Sequence, residues 1–203
     1  MKLKVQAAAV AWALLVVSAA SAAPGVASKD PAQMAAGEYT LDPTHSSLTA
    51  RVSHIGFSNF TLRFDGLSGS LVYDPAHPEM ASVKVTVDPK SVDTQVPALT
   101  AELQGQKWLN AAQYPAITFL SKAVRPEAGG HGKVDGELSL LGVTKPVTLD
   151  VDFNGSGKGL MGETRAGFSA STVIKRSDFG LKTYEPVIGD EVRFVIEAEF
   201  TKK

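Results

Sequence analysis

Val192-Arg193-Phe194-Val195-Ile196-Glu197-Ala198-Glu199-Phe200 puts an apolar side chain at every even position and, Val195 apart, a charged one at every odd position. Successive side chains in a strand point to opposite faces, so this stretch is a strand with one buried and one wet face. The same period recurs upstream in Leu48, Ala50 and Val52, in Phe60, Leu62 and Phe64, and in Val83, Val85 and Val87. It continues through Ile117 and Phe119, through Val134, Leu138 and Leu140, through Val147, Leu149, Val151 and Phe153, and through Ala166, Phe168 and Ala170. After Phe64 the apolar series moves to odd positions at Leu67, Leu71 and Tyr73. One inserted residue has that effect, so Asp65-Gly66 is expected to hold a β-bulge or a sharp bend.

Turn chemistry separates the runs at Asp74-Pro75-Ala76-His77-Pro78, Gly129-Gly130, Gly155-Ser156-Gly157-Lys158-Gly159 and Ile188-Gly189-Asp190. Most connections are therefore short and hairpin-like. Between Val87 and Ala116 the pattern changes: Leu99, Leu103, Trp108 and Leu109 are spaced for one or two helical turns, with Asp93 or Thr94 as the expected cap.

About eight or nine strands, each apolar on one face, must cover that face and protect their edges. Closure does both, and the expected fold is all-β: an extended antiparallel up-and-down β-barrel with a short helical insertion. An immunoglobulin-like sandwich fits the alternation equally well but leaves the insertion less explained. An outer-membrane barrel would turn its apolar face to lipid. Arg51, Arg63, Lys84, Asp135, Glu137, Arg193, Glu197 and Glu199 crowd the polar face with more charge than a narrow lumen suits, and there are only two tryptophans.

The chain begins with Lys2 and Lys4, an apolar run from Val5 to Val17 broken only by Gln6, and small residues up to Ala23. This is an export signal. Ala20 and Ala22 favour cleavage after Ala22, and the run is shorter than the ~20 residues of a membrane-spanning helix. The expected organisation is a signal peptide over 1–22, a flexible leader over 23–36 and one domain over 37–203, with no integral membrane segment once the signal is removed. With no cysteine there is no lipoprotein attachment site, disulfide or thiolate chemistry. A net charge of −1 gives no electrostatic case for nucleic acid.

The residues that could carry chemistry are sparse. His45, His54, His77 and His131 have no metal-ligand spacing around them, and no metal or cofactor is expected. Gly66-Leu67-Ser68-Gly69-Ser70 lacks the last glycine of a nucleophile elbow. Gly155-Ser156-Gly157-Lys158-Gly159 lacks Walker spacing and reads as a hairpin loop. Many inward positions are small, among them Ala50, Gly136, Ala166, Ala170 and Ala198, so a barrel built on them either holds a cavity for an apolar ligand or packs flat. His45, Ser46, Arg51, His54, Arg176 and Asp178 form the polar set to weigh. They either sit at the barrel mouth against a head group or include an Arg-carboxylate pair that orders a loop.

Read in order, several stretches resemble one family. They are Gly37-Glu38-Tyr39-Thr40-Leu41-Asp42-Pro43-Thr44-His45-Ser46, Phe64-Asp65-Gly66-Leu67-Ser68-Gly69, Trp108-Leu109-Asn110-Ala111-Ala112-Gln113-Tyr114-Pro115, Leu141-Gly142-Val143-Thr144-Lys145-Pro146 and Arg176-Ser177-Asp178-Phe179-Gly180. Together they resemble the YceI-like proteins over nearly all of residues 37 to 201. The resemblance implies a lipocalin-like barrel in the periplasm, holding a polyisoprenoid or an isoprenoid-tailed, quinone-like lipid in its interior, and often a homodimer. Two positions depart from the family pattern. Leu141 stands where the family often has histidine, and Ser53 stands where a more basic residue usually precedes the histidine.

On this reading Phe60, Phe64, Trp108, Phe119, Phe168 and Phe194 line the ligand, and His45, Arg51, His54 and Arg176 lie at the mouth. The alternative is an enzyme acting on an amphiphilic small molecule, with His45 or His54 as general base.

Overall fold

The computed structural model describes residues 26–203. The expected signal peptide lies outside them. Among the described residues eleven strands follow one another: β1 (Gly37–Leu41), β2 (Ser47–His54), β3 (Ser58–Phe64), β4 (Leu67–Tyr73), β5 (Ser82–Val87), β6 (Val92–Asp93), β7 (Ile117–Pro126), β8 (His131–Leu140), β9 (Val143–Lys158), β10 (Thr164–Lys175) and β11 (Ile188–Lys202). Every pairing is antiparallel. From β4 onward, β6 apart, the strands form an up-and-down meander, and β1 pairs with both β4 and β11 to close the ring. The closed order is β1-β4-β5-β7-β8-β9-β10-β11.

β11 is long enough to serve two neighbours on one edge. Its C-terminal residues pair with β1 (Phe200 opposite Leu41), while its N-terminal half pairs with β2 (Val192 opposite Val52). The chain changes direction between β1 and β2 at Asp42-Pro43, where the Asp42 carboxylate accepts the Thr44 N–H and caps a short turn. As a result β2, β3 and β6 continue the sheet beyond the ring.

The parity change after Phe64 is a sharp bend. The Asp65 N–H donates to Ser91 O at 3.2 Å, and the Asp88 N–H donates to Gly66 O at 2.8 Å. A Cβ on Gly66 would lie 2.9 Å from the Cβ atoms of Asp88 and Ser91, so the corner admits only glycine.

The insertion carries one helix, α1 (Pro97–Gln104). Neither Asp93 nor Thr94 caps it. The N-cap is Val96, with Pro97 in the first turn, where a missing N–H costs nothing. Thr94 instead ties the preceding loop, its hydroxyl accepting the Val96 N–H at 3.2 Å and pairing with Thr100 Oγ1 at 2.9 Å. Leu103 carries the helix onto the core beside Phe64 and Val92.

Two other expectations are corrected. Gly155-Ser156-Gly157-Lys158 belongs to β9 rather than to a hairpin loop, and the turn follows it. Ile188-Gly189-Asp190 likewise opens β11 rather than forming a turn. Ahead of β1, Ser28 forms an antiparallel bridge with Ser156, and Met34 is 1% exposed. The leader lacks strand or helix periodicity because its partners are the barrel wall and two tyrosines, not a neighbouring turn of its own.

Candidate ligand cavity

Side chains fill the barrel unevenly. Along β1, β4 and the adjoining ends of β10 and β11 the interior is tightly packed, with Tyr39, Leu71, Ala166 and Phe200 all buried. Along β8, β9, β10 and the first half of β11 the inward residues Leu138, Val147, Leu149, Val151, Phe168, Ala170, Phe194 and Ile196 are only half-buried. They face a cavity of about 530 Å³ whose lining is almost wholly apolar. Phe153, Phe168 and Phe200 form an aromatic run along one side, with ring centroids 5.4 and 6.0 Å apart.

Of the residues expected to touch a ligand, Phe64, Trp108, Phe119, Phe168, Phe194 and Arg176 lie in this wall. Phe60, His45, Arg51 and His54 do not. Phe60 sits opposite Val52 on the hairpin that extends beyond the ring. Arg51 projects from the outer face of β2, cross-strand from Arg193. His54 is exposed at the end of β2, opposite Ile188. His45 belongs to an external ion network, and neither histidine lines the cavity where a base would meet a bound molecule.

That network was not legible in the sequence. Arg165 Nη1 donates to Asp42 at 2.7 Å and to Glu199 at 2.8 Å, and Arg165 Nε donates to Glu163 at 2.6 Å. His45 Nδ1 lies 2.8 Å from Asp42 Oδ2. The Thr44 hydroxyl, then the His45 ring and the Arg165 guanidinium, hold the Asp42 carboxyl well below the usual carboxylate range. Asp42, His45 and Glu199 are close enough together to ligate an ion. The guanidinium, however, already bridges Asp42 and Glu199, so the network pins the β1–β2 turn to β10 and β11.

Among the described residues Arg176 is the one charged group that is both buried and in the wall, at 3% exposure. It donates to the carbonyls of Gly189 (2.8 Å), Leu181 (2.8 Å), Thr183 (3.0 Å) and Ile188 (2.9 Å). The loop is thus ordered by backbone oxygens rather than by the Arg-carboxylate pair considered from sequence. The Asp178 carboxylate takes no part; Asp190 accepts the Ser177 N–H and hydroxyl instead, which holds its own carboxyl low. Four hydrogen bonds leave one of the five guanidinium donors over. Among the described residues no carboxylate forms an ion pair with Arg176.

A closed antiparallel barrel with charge outside and an apolar cavity within is a lipocalin-like binding barrel, the inverse of a barrel that faces lipid. The YceI-like domain model matches residues 39–200, and the chain belongs to that family. It is 35% identical to a UPF0312 protein of Shewanella putrefaciens over 164 residues, which is 80% of this chain and 86% of the relative. Among solved structures it resembles Burkholderia cenocepacia BcnA, with a TM-score of 0.71, 26% identity, and coverage of 78% of this chain and 98% of that one. It also resembles a polyisoprenoid binding domain from Saccharophagus degradans, with a TM-score of 0.60, 21% identity, and coverage of 81% and 98%.

Proposed function

We propose that this protein is an exported, periplasmic carrier that encloses the tail of a long isoprenoid-type lipid and holds its polar head near Arg176. The observation that carries the reading is the cavity itself. At about 530 Å³ it lies within the range of small-molecule sites, and it runs among Leu138, Leu149, Val151, Phe168 and Phe194 with few polar groups to satisfy. Each methylene buried there is worth ~0.8 kcal/mol, so an extended tail is retained by many small, undirected gains. Such a wall fits a chain of repeated apolar units better than a compact polar substrate. The ligand named for the Saccharophagus degradans domain agrees with this chemistry. Arg176 supports an anionic or hydroxylated head group, because it is a buried cation with no carboxylate on it and one donor to spare.

The test is mass spectrometry of an organic extract of natively purified protein, with a detergent-washed sample and a Phe168→Asp variant as controls. One isoprenoid species in stoichiometric amount, lost from the folded variant, is expected. Trace mixed phospholipid, equal in the variant, overturns the reading. Cell fractionation should place the protein in the periplasm; recovery in the cytoplasm counts against export.

A further inference from the structure

A segment outside the barrel sheet lies across the end of the cavity away from Arg176. Residues Ser28 to Met34 cross it as a strap. Ser28 exchanges both backbone hydrogen bonds with Ser156 of β9, at 2.8 and 2.9 Å. The Tyr73 hydroxyl donates to Pro31 O at 3.1 Å and the Tyr39 hydroxyl donates to Ala35 O at 2.5 Å. Met34 is sunk in the packed core beside these anchors, while Pro31 and Ala32 complete the cavity wall with it. The barrel is shaped to receive the strap, since a Cβ on Gly155 would come within 2.8 Å of Ala27 Cβ. On β10 the cavity is lined from Phe168 to Ile174, about 20 Å of strand at ~3.3 Å per residue.

We propose that the strap is a fixed end wall, with Pro31, Ala32 and Met34 setting the longest apolar tail the cavity accepts. This rests on the carrier reading above: a head held at Arg176 leaves the tail to run along β10 until it meets the strap. The four anchors and the buried methionine make the segment a wall rather than a lid. The protein therefore discriminates by tail length as well as by polarity.

The experiment measures the affinity of delipidated full-length protein for a homologous series of straight-chain alcohols. Affinity is expected to tighten roughly fourfold per added methylene and then stop improving at a definite length. Met34→Ala moves that limit to longer chains by about two methylenes, and the milder Met34→Val serves if the alanine variant does not fold. Ser28→Cys with Ser156→Cys makes the only cysteine pair in the chain, and a directly opposed antiparallel pair falls within disulfide reach. The oxidised and reduced forms should share one length limit. A limit that does not move in the Met34 variants, or an affinity that never levels off, overturns the proposal. So does uptake that stops on oxidation and returns on reduction, which would make the strap a lid. Wild-type protein that takes up no member of the series refutes the carrier reading itself.

Discussion

Arg176 is the residue on which one end of the barrel depends. Its four acceptors are the carbonyls of Leu181, Thr183, Ile188 and Gly189, so a single side chain replaces the ladder that an irregular loop cannot make for itself. Removing it leaves those oxygens unpaired, and Arg176→Met is expected to cost about 3–5 kcal/mol in urea unfolding. Arg176→Lys should recover only a small part, because an ammonium on one stem cannot reach four acceptors spread as a fork. Full recovery by lysine would show that charge, not geometry, is what the loop needs. Asp42 acts at the same scale through protonation. Its folded pKa lies below its unfolded value, so its contribution is complete above the unfolded range and disappears as pH falls through the folded value. Asp42→Asn should therefore lower stability by about 1–2 kcal/mol at neutral pH, and the difference should shrink once pH drops below ~4. Thermal unfolding of both proteins across pH tests this, and a gap that stays constant into acid counts against it.

At the scale of elements, the β2–β3 hairpin turns through Ile55 at φ +55° and Gly56 at φ +71°. A β-branched residue in the left-handed region is strained by about 1–2 kcal/mol, and Ile55 is half-exposed, so little packing offsets that strain. Ile55→Asn should raise the melting temperature by several degrees; a fall would mean that Ile55 has contacts worth more than its strain. The hairpins themselves were legible because Val147 to Phe153 keeps strict period two and Val192 to Phe200 departs from it only at Val195, and the parity change after Phe64 marked the bend at Gly66 correctly. Gly136 shows where such reading stops. It is a small inward residue, as the pattern says, yet a Cβ there would meet the Phe119 ring at 2.4 Å, so the ring already fills the space that glycine leaves. The Arg165 network was invisible for a related reason, since Asp42 and Glu199 stand 123 and 34 residues away and carry no local signal. The strap was hidden because its order comes from Ser156, Tyr39 and Tyr73 and not from its own sequence.

For the whole molecule, ring closure removes sheet edges and puts Glu197 and Glu199 outside, but it does not oblige the interior to be full. The packed side along β1 and β4 supplies a core, and that core permits the opposite side to stay open to a ligand. Two alanines on β10 make the division measurable. Ala166 and Ala170 point to the same face four residues apart, but Ala166 is 1% exposed in the core whereas Ala170 borders the cavity. Ala166→Leu should overpack and cost about 1–3 kcal/mol. Ala170→Leu should instead stabilise delipidated protein by about 1 kcal/mol, because the added carbons leave water without displacing a neighbour. The same substitution should weaken retention of the extracted lipid, since the new side chain takes space from the tail. Thermal unfolding and lipid content, measured together, therefore have opposite signs for Ala170→Leu in a binding barrel. Equal destabilisation by both leucines would mean that the barrel is closed and solid on this side as well, and a lipid found with the protein would then have to sit elsewhere.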